Sequence, residues 1–374
     1  MKCIKCGQDN KLKERTANNG RCASCKHPFV FDPKADQSGD MNFTDAFFQH
    51  FLEAATAQGT LQVTRQQLFY VFNARYLRRQ TNWFNVFGVL LLLAGLPMLL
   101  LGARVSAFFF VLWVLLWACA LVCLVPAWRE RWFPPAPKSA PITLSQFMLW
   151  LERWHKANGT TTQLLPPPQK QAPIQVKEEV TKYSFDRVVV CQRDTLAQFL
   201  IANHFHFEHN CAVLSISGYP HNLFDTVMEM LRRNPDLKVY ALHDASADGV
   251  QMPRRLLTEK RWFKDFPNVQ IFDLGLMPRQ VLKRPLLLSE QQSQPLDLTT
   301  LPEAFKQNLQ PDELAWLNAG NAVELEAINP QRLLQMIALG IAKSRDPNAI
   351  DTYVAVDSGS GDGALYVYSS DSFG

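Results

Sequence analysis

The sequence of 374 residues lacks the common fingerprints of nucleotide-dependent and hydrolytic enzymes. It contains no P-loop, no glycine fingerprint of a dinucleotide-binding fold and no Ser–His–Asp signature. The N-terminus is polar and lysine-rich without an apolar core, so no cleavable signal peptide is expected. The net charge of +4 is small and by itself indicates little about nucleic acid. These absences argue against P-loop NTPases, Rossmann-type dehydrogenases and serine hydrolases.

Cysteine is sparse, but it is not evenly spread. Of the eight cysteines, four lie near the N-terminus as two Cys-x2-Cys pairs, with the segment 7–21 between the pairs. Paired spacing of this kind favours a metal over a disulfide framework, in a reducing compartment. Four thiolates complete the tetrahedral shell of Zn²⁺ and leave no open position, so the zinc is expected to be structural. The prediction is a zinc ribbon over residues 1–32, with the ligands Cys3, Cys6, Cys22 and Cys25.

The loop between the two cysteine pairs is basic. Lys11, Lys13, Arg15 and Arg21 either contact phosphate or are simply solvated. The sequence alone leaves both alternatives open.

Residues 42–82 combine two helical patterns. A first apolar repeat at helical spacing ends at Gly59, and a second, with several arginines, follows a short extended piece. Helix, turn and helix in this order are compatible with a winged-helix-like segment.

Residues 83–102 and 107–126 are two long, nearly uncharged apolar runs. A helix of about 20 residues crosses a hydrocarbon core of about 30 Å, and each run matches that length. Basic residues flank the pair on both sides, which places both flanks in the cytoplasm. A buried soluble hairpin is the alternative. The prediction is a two-helix transmembrane hairpin over residues 83–126, with the lipid bilayer as partner, the inner membrane as location and both termini cytoplasmic.

The remaining connections are assigned from composition. Residues 141–165 carry an amphipathic helix, and residues 166–184 form a proline-bearing, charged linker. The tail over residues 346–374 is rich in glycine and serine and is expected to be loose.

The stretch between linker and tail predicts an α/β fold with a parallel sheet. Three short apolar runs (Val188–Val190, Ala212–Ile216 and Val239–Leu242) alternate with helical spacing. In parallel sheets with right-handed crossovers, chemistry gathers where strands end. The turns expected on one rim are therefore Gln192–Asp194, Ser217–Pro220 and Asp244–Gly249.

The order of short motifs in this stretch resembles a known family. VVVCQRDTLAQFL, SISGYP, VYALHDASADG, DLGLMP and AVELEAI follow one another as in the Toprim domain of type IIB topoisomerase A subunits and the related meiotic break-forming transesterases. Upstream, VTRQQLFY resembles the winged-helix motif of that family, which ends in an aromatic–tyrosine pair. The resemblance implies a Toprim-like domain over residues 185–345, DNA as the ligand and a homodimer.

The same resemblance implies candidate catalytic residues. In active relatives the winged-helix tyrosine attacks a DNA phosphodiester, and Tyr70 occupies that position. Toprim carboxylates hold Mg²⁺; Asp244 matches the first aspartate of the Asp-x-Asp motif, and Glu324 and Glu326 fit the late acidic motif. The alternative for these two glutamates is an ion pair with Arg332 or a solvated helix start. The sequence departs from the family at Gln192-Arg193, where relatives have Glu-Lys, and at Ser246, where they have the second aspartate.

These departures weaken the case for Mg²⁺. Glutamine and serine offer neutral oxygens to a hard cation that prefers anionic ones. Asp194 and Asp248 each lie two residues beyond a lost position, so a rearranged Mg²⁺ site is one alternative. Their other interpretation is a helix cap and a turn residue. Tyr70 beside Phe69 is equally compatible with packing.

The sequence therefore predicts a membrane-anchored, non-catalytic Toprim-like protein that binds nucleic acid or a protein partner. A Mg²⁺-dependent nuclease or transesterase using Tyr70 and Asp244 is the second hypothesis. An assembly scaffold without nucleic-acid binding is the third.

Overall fold

The structure is a computed structural model of the chain. It describes residues 1–34, 43–80, 88–94, 107–124, 137–169, 354–355 and 185–344 apart from 235, 267–268, 283–285, 292 and 295–308. Most of the predicted linker (170–184) and all but two residues of the predicted tail lie outside the described residues.

The regular elements, in chain order, are helices and one sheet. The helices are α1 (Leu12–Ala17), α2 (Asp45–Ala55), α3 (Arg65–Gln80), α4 (Ala107–Leu124), α5 (Leu144–Asn158), α6 (Asp194–Ala202), α7 (Phe205–Glu208), α8 (Phe224–Arg232), α9 (Ala247–Val250), α10 (Met252–Thr258), α11 (Pro278–Val281), α12 (Pro311–Asn318) and α13 (Pro330–Lys343). A 3₁₀ turn spans Leu325–Ala327, and the strands are β1 (Arg187–Cys191), β2 (Ala212–Ser215), β3 (Lys238–Leu242), β4 (Gln270–Asp273) and β5 (Val354–Ala355).

The segment 1–34 forms two similar hairpins around the cysteines. Isolated bridges pair Lys2 with Asp9 and Arg21 with Pro28, at the same place relative to the cysteines of each pair. The residue after the second cysteine of each pair has a positive φ, +75° at Gly7 and +59° at Lys26. Such turns let both cysteines of a pair face one point.

A helical unit built from α2, α3 and α5 follows. Its core is largely aromatic and packs Phe48, Phe72 and Phe147 together. Thr143 caps α5, because its hydroxyl accepts a hydrogen bond from the amide of Gln146 at 3.3 Å. The helices predicted in residues 42–82 and 141–165 are confirmed.

Phe31 joins the cysteine-bearing segment to this unit. Its ring is buried 4.8 Å from the ring of Phe48 and 6.1 Å from that of Trp154. Asp45 in α2 accepts a hydrogen bond from the Phe31 amide at 2.7 Å. The fold of the segment 1–34 is therefore coupled to the aromatic core.

The transmembrane hairpin predicted over residues 83–126 is wrong, and so is the inner-membrane localisation drawn from it. Among the described residues, no helix is long and apolar enough to span a bilayer. A span needs about 20 residues, whereas the helical parts seen here are residues 88–94 and the 18 residues of α4. The rest of the predicted hairpin (83–87, 95–106 and 125–126) lies outside the described residues.

The sheet confirms the predicted α/β architecture. Its strand order is β2-β1-β3-β4-β5, with β1 to β4 parallel and β5 antiparallel at the edge. Val188 and Val190 face one core, which includes Met228 of α8, and Val189 faces the other, which includes Leu333 of α13. This alternation follows from the two-residue period of a strand with helices on both faces.

Candidate functional site

The candidate site lies at the carboxyl end of β1, which is between β2 and β3 in the sheet. The chain leaves β1 toward β2 on one side, whereas β3 lies on the other side of β1. In open parallel sheets, this reversal leaves a crevice at the carboxyl ends of the strands, where ligands bind. Gln192 and Arg193 directly follow β1, and Asp244 is the second residue after β3. The side-chain oxygen of Gln192 accepts a hydrogen bond from the Asp244 amide at 2.8 Å.

Arg193 fills this crevice with its guanidinium. Its Nε lies 2.8 Å from Oδ2 of Asp244, and its Nη2 lies 2.9 Å from Oε1 of Glu324. The side chains of Asp244 and Glu324 are only 4% and 2% exposed, whereas that of Arg193 is 35% exposed. One planar cation therefore bridges two buried carboxylates, a geometry that suits arginine better than lysine.

Charge and burial oppose each other at these groups. Burial acts to lower the pKa of Arg193, but Asp244 and Glu324 outweigh it and raise the pKa, so the guanidinium stays charged. Burial raises the pKa of Asp244, although Arg193 pulls it in the opposite direction. The ion pair with Arg193 thus opposes the effect of burial, but the pKa of Asp244 stays above its ordinary value.

The helical unit contributes directly to this group of side chains. Nε2 of Gln66 donates to Oε2 of Glu324 at 3.0 Å, and Oγ1 of Thr64 donates to Oε1 of Glu326 at 2.8 Å. The hydroxyl of Ser289 also donates to Glu324, at 2.8 Å. Side chains that are 258 and 262 positions apart in the chain therefore meet at one buried polar cluster.

Tyr70 lies in the same region, but it has no access to solvent. Its side chain is buried, and its hydroxyl has no well-aligned hydrogen-bond partner among the described residues. Burial raises the pKa of Tyr70, and the negative charge of Glu324 raises it further. In this arrangement neither access to a phosphodiester nor ionisation of the phenol is favoured. The catalytic role of Tyr70 and Asp244 stays a prediction.

Glu326 is a further carboxylate of the cluster with a raised pKa. Burial, followed by the charge of Glu324, raises its pKa to about 7. A raised pKa in the folded chain means that folding favours the protonated acid. The stability it contributes is present below the pKa of the unfolded chain and is lost as the pH rises through about 7.

We therefore expect Glu326→Gln to flatten the pH dependence of stability between about pH 4.5 and pH 7, the interval between the two pKa values. In the wild type this carboxyl should account for a loss of roughly 3 kcal/mol across that interval. Urea unfolding at both pH values measures it. Asp244 shifts stability in the same direction in both proteins, so the difference between them isolates Glu326.

The exposed Glu152, paired with Lys156 on the surface of α5, provides the matched control. Glu152→Gln should leave the pH profile of the wild type unchanged. Equal profiles for wild type and Glu326→Gln would contradict the assignment of this titration.

Gly249 is required by the turn that carries Asp244. A Cβ at this position would lie 2.1 Å from the backbone oxygen of Asp244. Ser246 closes the same turn, with its hydroxyl accepting from the Gly249 amide at 3.1 Å. Because the obstacle is backbone, it cannot rotate away.

Gly249→Ala should therefore lower the free energy of unfolding by about 1–3 kcal/mol, the usual cost of overpacking. Thermal or urea unfolding checks this. Gly159 has open space around its Cα, although its φ is +85°. Alanine there should cost about 1 kcal/mol through backbone strain alone. A neutral Gly249→Ala would contradict the close approach.

The other predicted acidic residues lie apart from this cluster. Asp194 begins α6 and accepts hydrogen bonds from Ser215, at 2.6 Å, and from Ser217. Its other oxygen is 3.7 Å from Nε2 of His221. Asp248 is exposed in α9. The structure thus brings Asp244 and Glu324 together through Arg193, but it does not bring Asp194 or Asp248 to them.

Two buried residues of the site, His243 and Asp273, were not predicted from the sequence. His243 is buried, with Nε2 at 2.9 Å from Asp273 and Nδ1 at 2.9 Å from the backbone oxygen of Asp244. Burial acts to lower the pKa of His243, but Asp273 outweighs it and raises the pKa. Their positions were the available signal, because His243 directly follows β3 and Asp273 is the last residue of β4.

The four cysteines form a second candidate site. Their sulfur atoms all lie within 4.8 Å of one another, and the Cys3–Cys25 and Cys6–Cys22 pairs are 3.6 Å apart. A tetrahedron with Zn–S bonds of about 2.3 Å has edges of about 3.8 Å, so the spacing fits. In the described part of the chain, no other group of three or more potential ligands is this compact.

The surroundings of Cys22 suit a thiolate, whereas burial raises the pKa of Cys3 to about 11. Backbone amides, that of Cys25 first, lower the pKa of Cys22 to about 6. The side-chain amide of Asn10 donates to the sulfur of Cys22 at 3.5 Å. The predicted cysteine cluster is confirmed, and it could hold a metal such as zinc.

Comparison with known proteins adds no relative. No family model matches the chain, and neither the curated proteins nor the solved structures contain a match.

Proposed function

We propose that this chain is a Toprim-like protein that binds nucleic acid without cutting it, and that its cysteine cluster holds a structural zinc. The Toprim assignment rests on the order of sequence motifs, and the loss of catalysis rests on Arg193. The single observation that carries the proposal is the guanidinium lying between Asp244 and Glu324.

Arg193 supplies the positive charge that Mg²⁺ supplies in active Toprim enzymes. Mg²⁺ demands near-octahedral oxygen ligands and gives up its water reluctantly. To reach Asp244 and Glu324 it would have to displace a guanidinium that already neutralises them. The neutral side chains of Gln192 and Ser246 offer no compensating charge.

Zinc would be held by Cys3, Cys6, Cys22 and Cys25. With four thiolate ligands its contribution is to the fold, since no position is left for water or substrate. The ribbon would then be a rigid platform attached to the helical unit through Phe31.

The proposal is tested by duplex binding and plasmid nicking, each with and without Mg²⁺. The wild type should bind duplex DNA without Mg²⁺, with an affinity that falls as salt rises, and should leave supercoiled plasmid intact. Mg²⁺-dependent nicking that is lost in Tyr70→Phe would overturn it. Absence of binding even at low salt would favour the scaffold hypothesis instead.

A second candidate, Mg²⁺-dependent cleavage, is favoured by one observation. Tyr70 lies close enough to Glu324 for that carboxylate to act on its pKa, so the predicted nucleophile and an acidic group occupy one region. The variant Gln192→Glu, Arg193→Lys, Ser246→Asp restores the pattern of active relatives. Under the proposal it should gain Mg²⁺ affinity that the wild type lacks, measured by calorimetry. Equal Mg²⁺ affinity in both proteins would favour the cleavage candidate.

A further inference from the structure

The cysteine-bearing segment carries the positive charge of the chain. Residues 1–34 contain eight basic and three acidic side chains, a formal charge of +5. Residues 35–374 contain 30 basic and 31 acidic side chains, a formal charge of −1. A tetrathiolate zinc site would contribute about −2, which still leaves the segment 1–34 positive.

All three acidic residues of the segment are already engaged. Asp9 pairs with the N-terminal amine at 2.8 Å. Asp32 pairs with Arg15 at 2.6 Å, and both side chains are largely buried. Glu14 accepts a hydrogen bond from the backbone amide of Lys11 at 2.8 Å. Arg15, which the sequence offered as a phosphate contact, is therefore committed to Asp32.

The basic side chains around the two cysteine pairs, Arg15 apart, are exposed. In the part of the chain that the structure describes, none of them lies within 4.0 Å of a carboxylate. We call them the basic surface: Lys2, Lys5, Lys11, Lys13, Arg21 and Lys26. Lys26 donates to the side-chain oxygen of Asn18 at 3.0 Å, and this contact leaves its charge unneutralised.

The two hairpins hold part of this surface in place. Lys2 and Arg21 occupy equivalent bridge positions, each directly before the first cysteine of its pair. Backbone hydrogen bonds, from Cys3 to Gln8 and from Cys22 to His27, both 2.9 Å, close the two turns. A partner would therefore meet charges on a scaffold that is already ordered, which reduces the entropy cost of binding.

The composition of the surface selects its partner. Lysine is a compact point charge that suits phosphates without reading sequence, and all members of the basic surface except Arg21 are lysine. Protein interfaces depend on large aromatic or apolar anchors. Within residues 1–34 the only strongly exposed large apolar side chain is Leu12, at 41%. The chemistry favours a phosphate backbone over an acidic protein.

We propose that the basic surface is the face through which this protein contacts the phosphates of duplex nucleic acid, independently of sequence. This inference rests on the proposed nucleic-acid binding and assigns it to residues other than Arg193, Asp244 and Glu324.

The test compares two double variants of the full chain that remove the same charge at different places. Lys11→Gln with Lys13→Gln alters the basic surface. Lys260→Gln with Lys264→Gln alters two exposed lysines between α10 and β4. Affinity for a random-sequence duplex is measured by fluorescence anisotropy from about 50 to about 200 mM salt, the range over which phosphate contacts lose most affinity. Metal content and unfolding midpoint verify that both variants are folded.

The basic-surface variant should reduce the slope of log K against log salt by about 2, close to 0.9 for each lost phosphate contact. Its affinity should fall about tenfold, while the control should stay within about twofold of the wild type. Equal losses in both variants would mean that only net charge matters and would overturn the inference. Competition by poly-glutamate that is as strong as competition by duplex would also overturn the inference, because the partner would then be an acidic protein.

Two outcomes separate this inference from the proposed function. Undiminished duplex binding by the Lys11/Lys13 variant would refute the inference and leave nucleic-acid binding standing. No duplex binding by the wild type at about 50 mM salt would refute both, because phosphate contacts are strongest there.

Discussion

Arg193→Met should lower the free energy of unfolding by about 3–5 kcal/mol, the usual cost of removing one partner of a buried ion pair. The loss arises because Asp244 and Glu324 would remain buried without a counter-charge. Urea unfolding at neutral pH measures it. Adding Asp244→Asn and Glu324→Gln to the same chain should recover much of the loss, since the carboxylates then no longer need a cation.

The matched control is Arg255→Met. Arg255 forms the same type of contact with Glu259, at 2.9 Å, but both side chains are well exposed, at 48% and 39%. A surface pair of this kind is worth about 0–1 kcal/mol. If Arg255→Met and Arg193→Met cost the same, the guanidinium is not the cation that stabilises the crevice, and the proposed loss of catalysis loses its support.

Cys22→Ser should abolish metal binding by the cysteine cluster and unfold the segment 1–34. Structural zinc contributes about 10–16 kcal/mol of apparent binding free energy at neutral pH in small zinc domains. Metal analysis should give about one zinc per wild-type chain and none in the variant. The damage should reach further, because Phe31 would leave the aromatic core, a loss of the size of Phe→Ala, about 3–5 kcal/mol.

Cys119→Ser is the control for this experiment. Cys119 is an exposed free cysteine in α4 and is not part of the cluster. Its replacement should leave both the zinc content and the unfolding midpoint unchanged. A Cys22→Ser chain that retains zinc and stability would show that the four sulfur atoms do not act as a metal site.

The structural basis of the Cys22 prediction could be inferred from the sequence, whereas that of the Arg193 prediction could not. The cysteine cluster was predictable because its ligands are close in the chain and their spacing is set by a tight turn. The pairing of Arg193 with Glu324 was not, because these residues are far apart in the chain and the folded chain brings them together, with Val323 bridged to Ala245.

The same distinction between local and long-range contacts explains where the structure differs from the sequence-based expectations. Hydropathy indicates how apolar a run is, but the length of the helix it forms is a property of the folded chain. The lost carboxylates at Gln192 and Ser246 were visible in the sequence, and Asp194 and Asp248 were the obvious local replacements. The structure instead turns Asp194 toward Ser215 and leaves Asp248 exposed.

What the sequence determined by itself is therefore local. The strand period, the helix caps and the cysteine spacing act over a few residues, and they specified the parallel sheet, the helical unit and the cysteine cluster. Only the tertiary structure decided what fills the crevice at the ends of β1 and β3. A buried carboxylate needs a cation close to it. Which cation lies close depends on residues that are distant in the chain and become neighbours only in the folded structure.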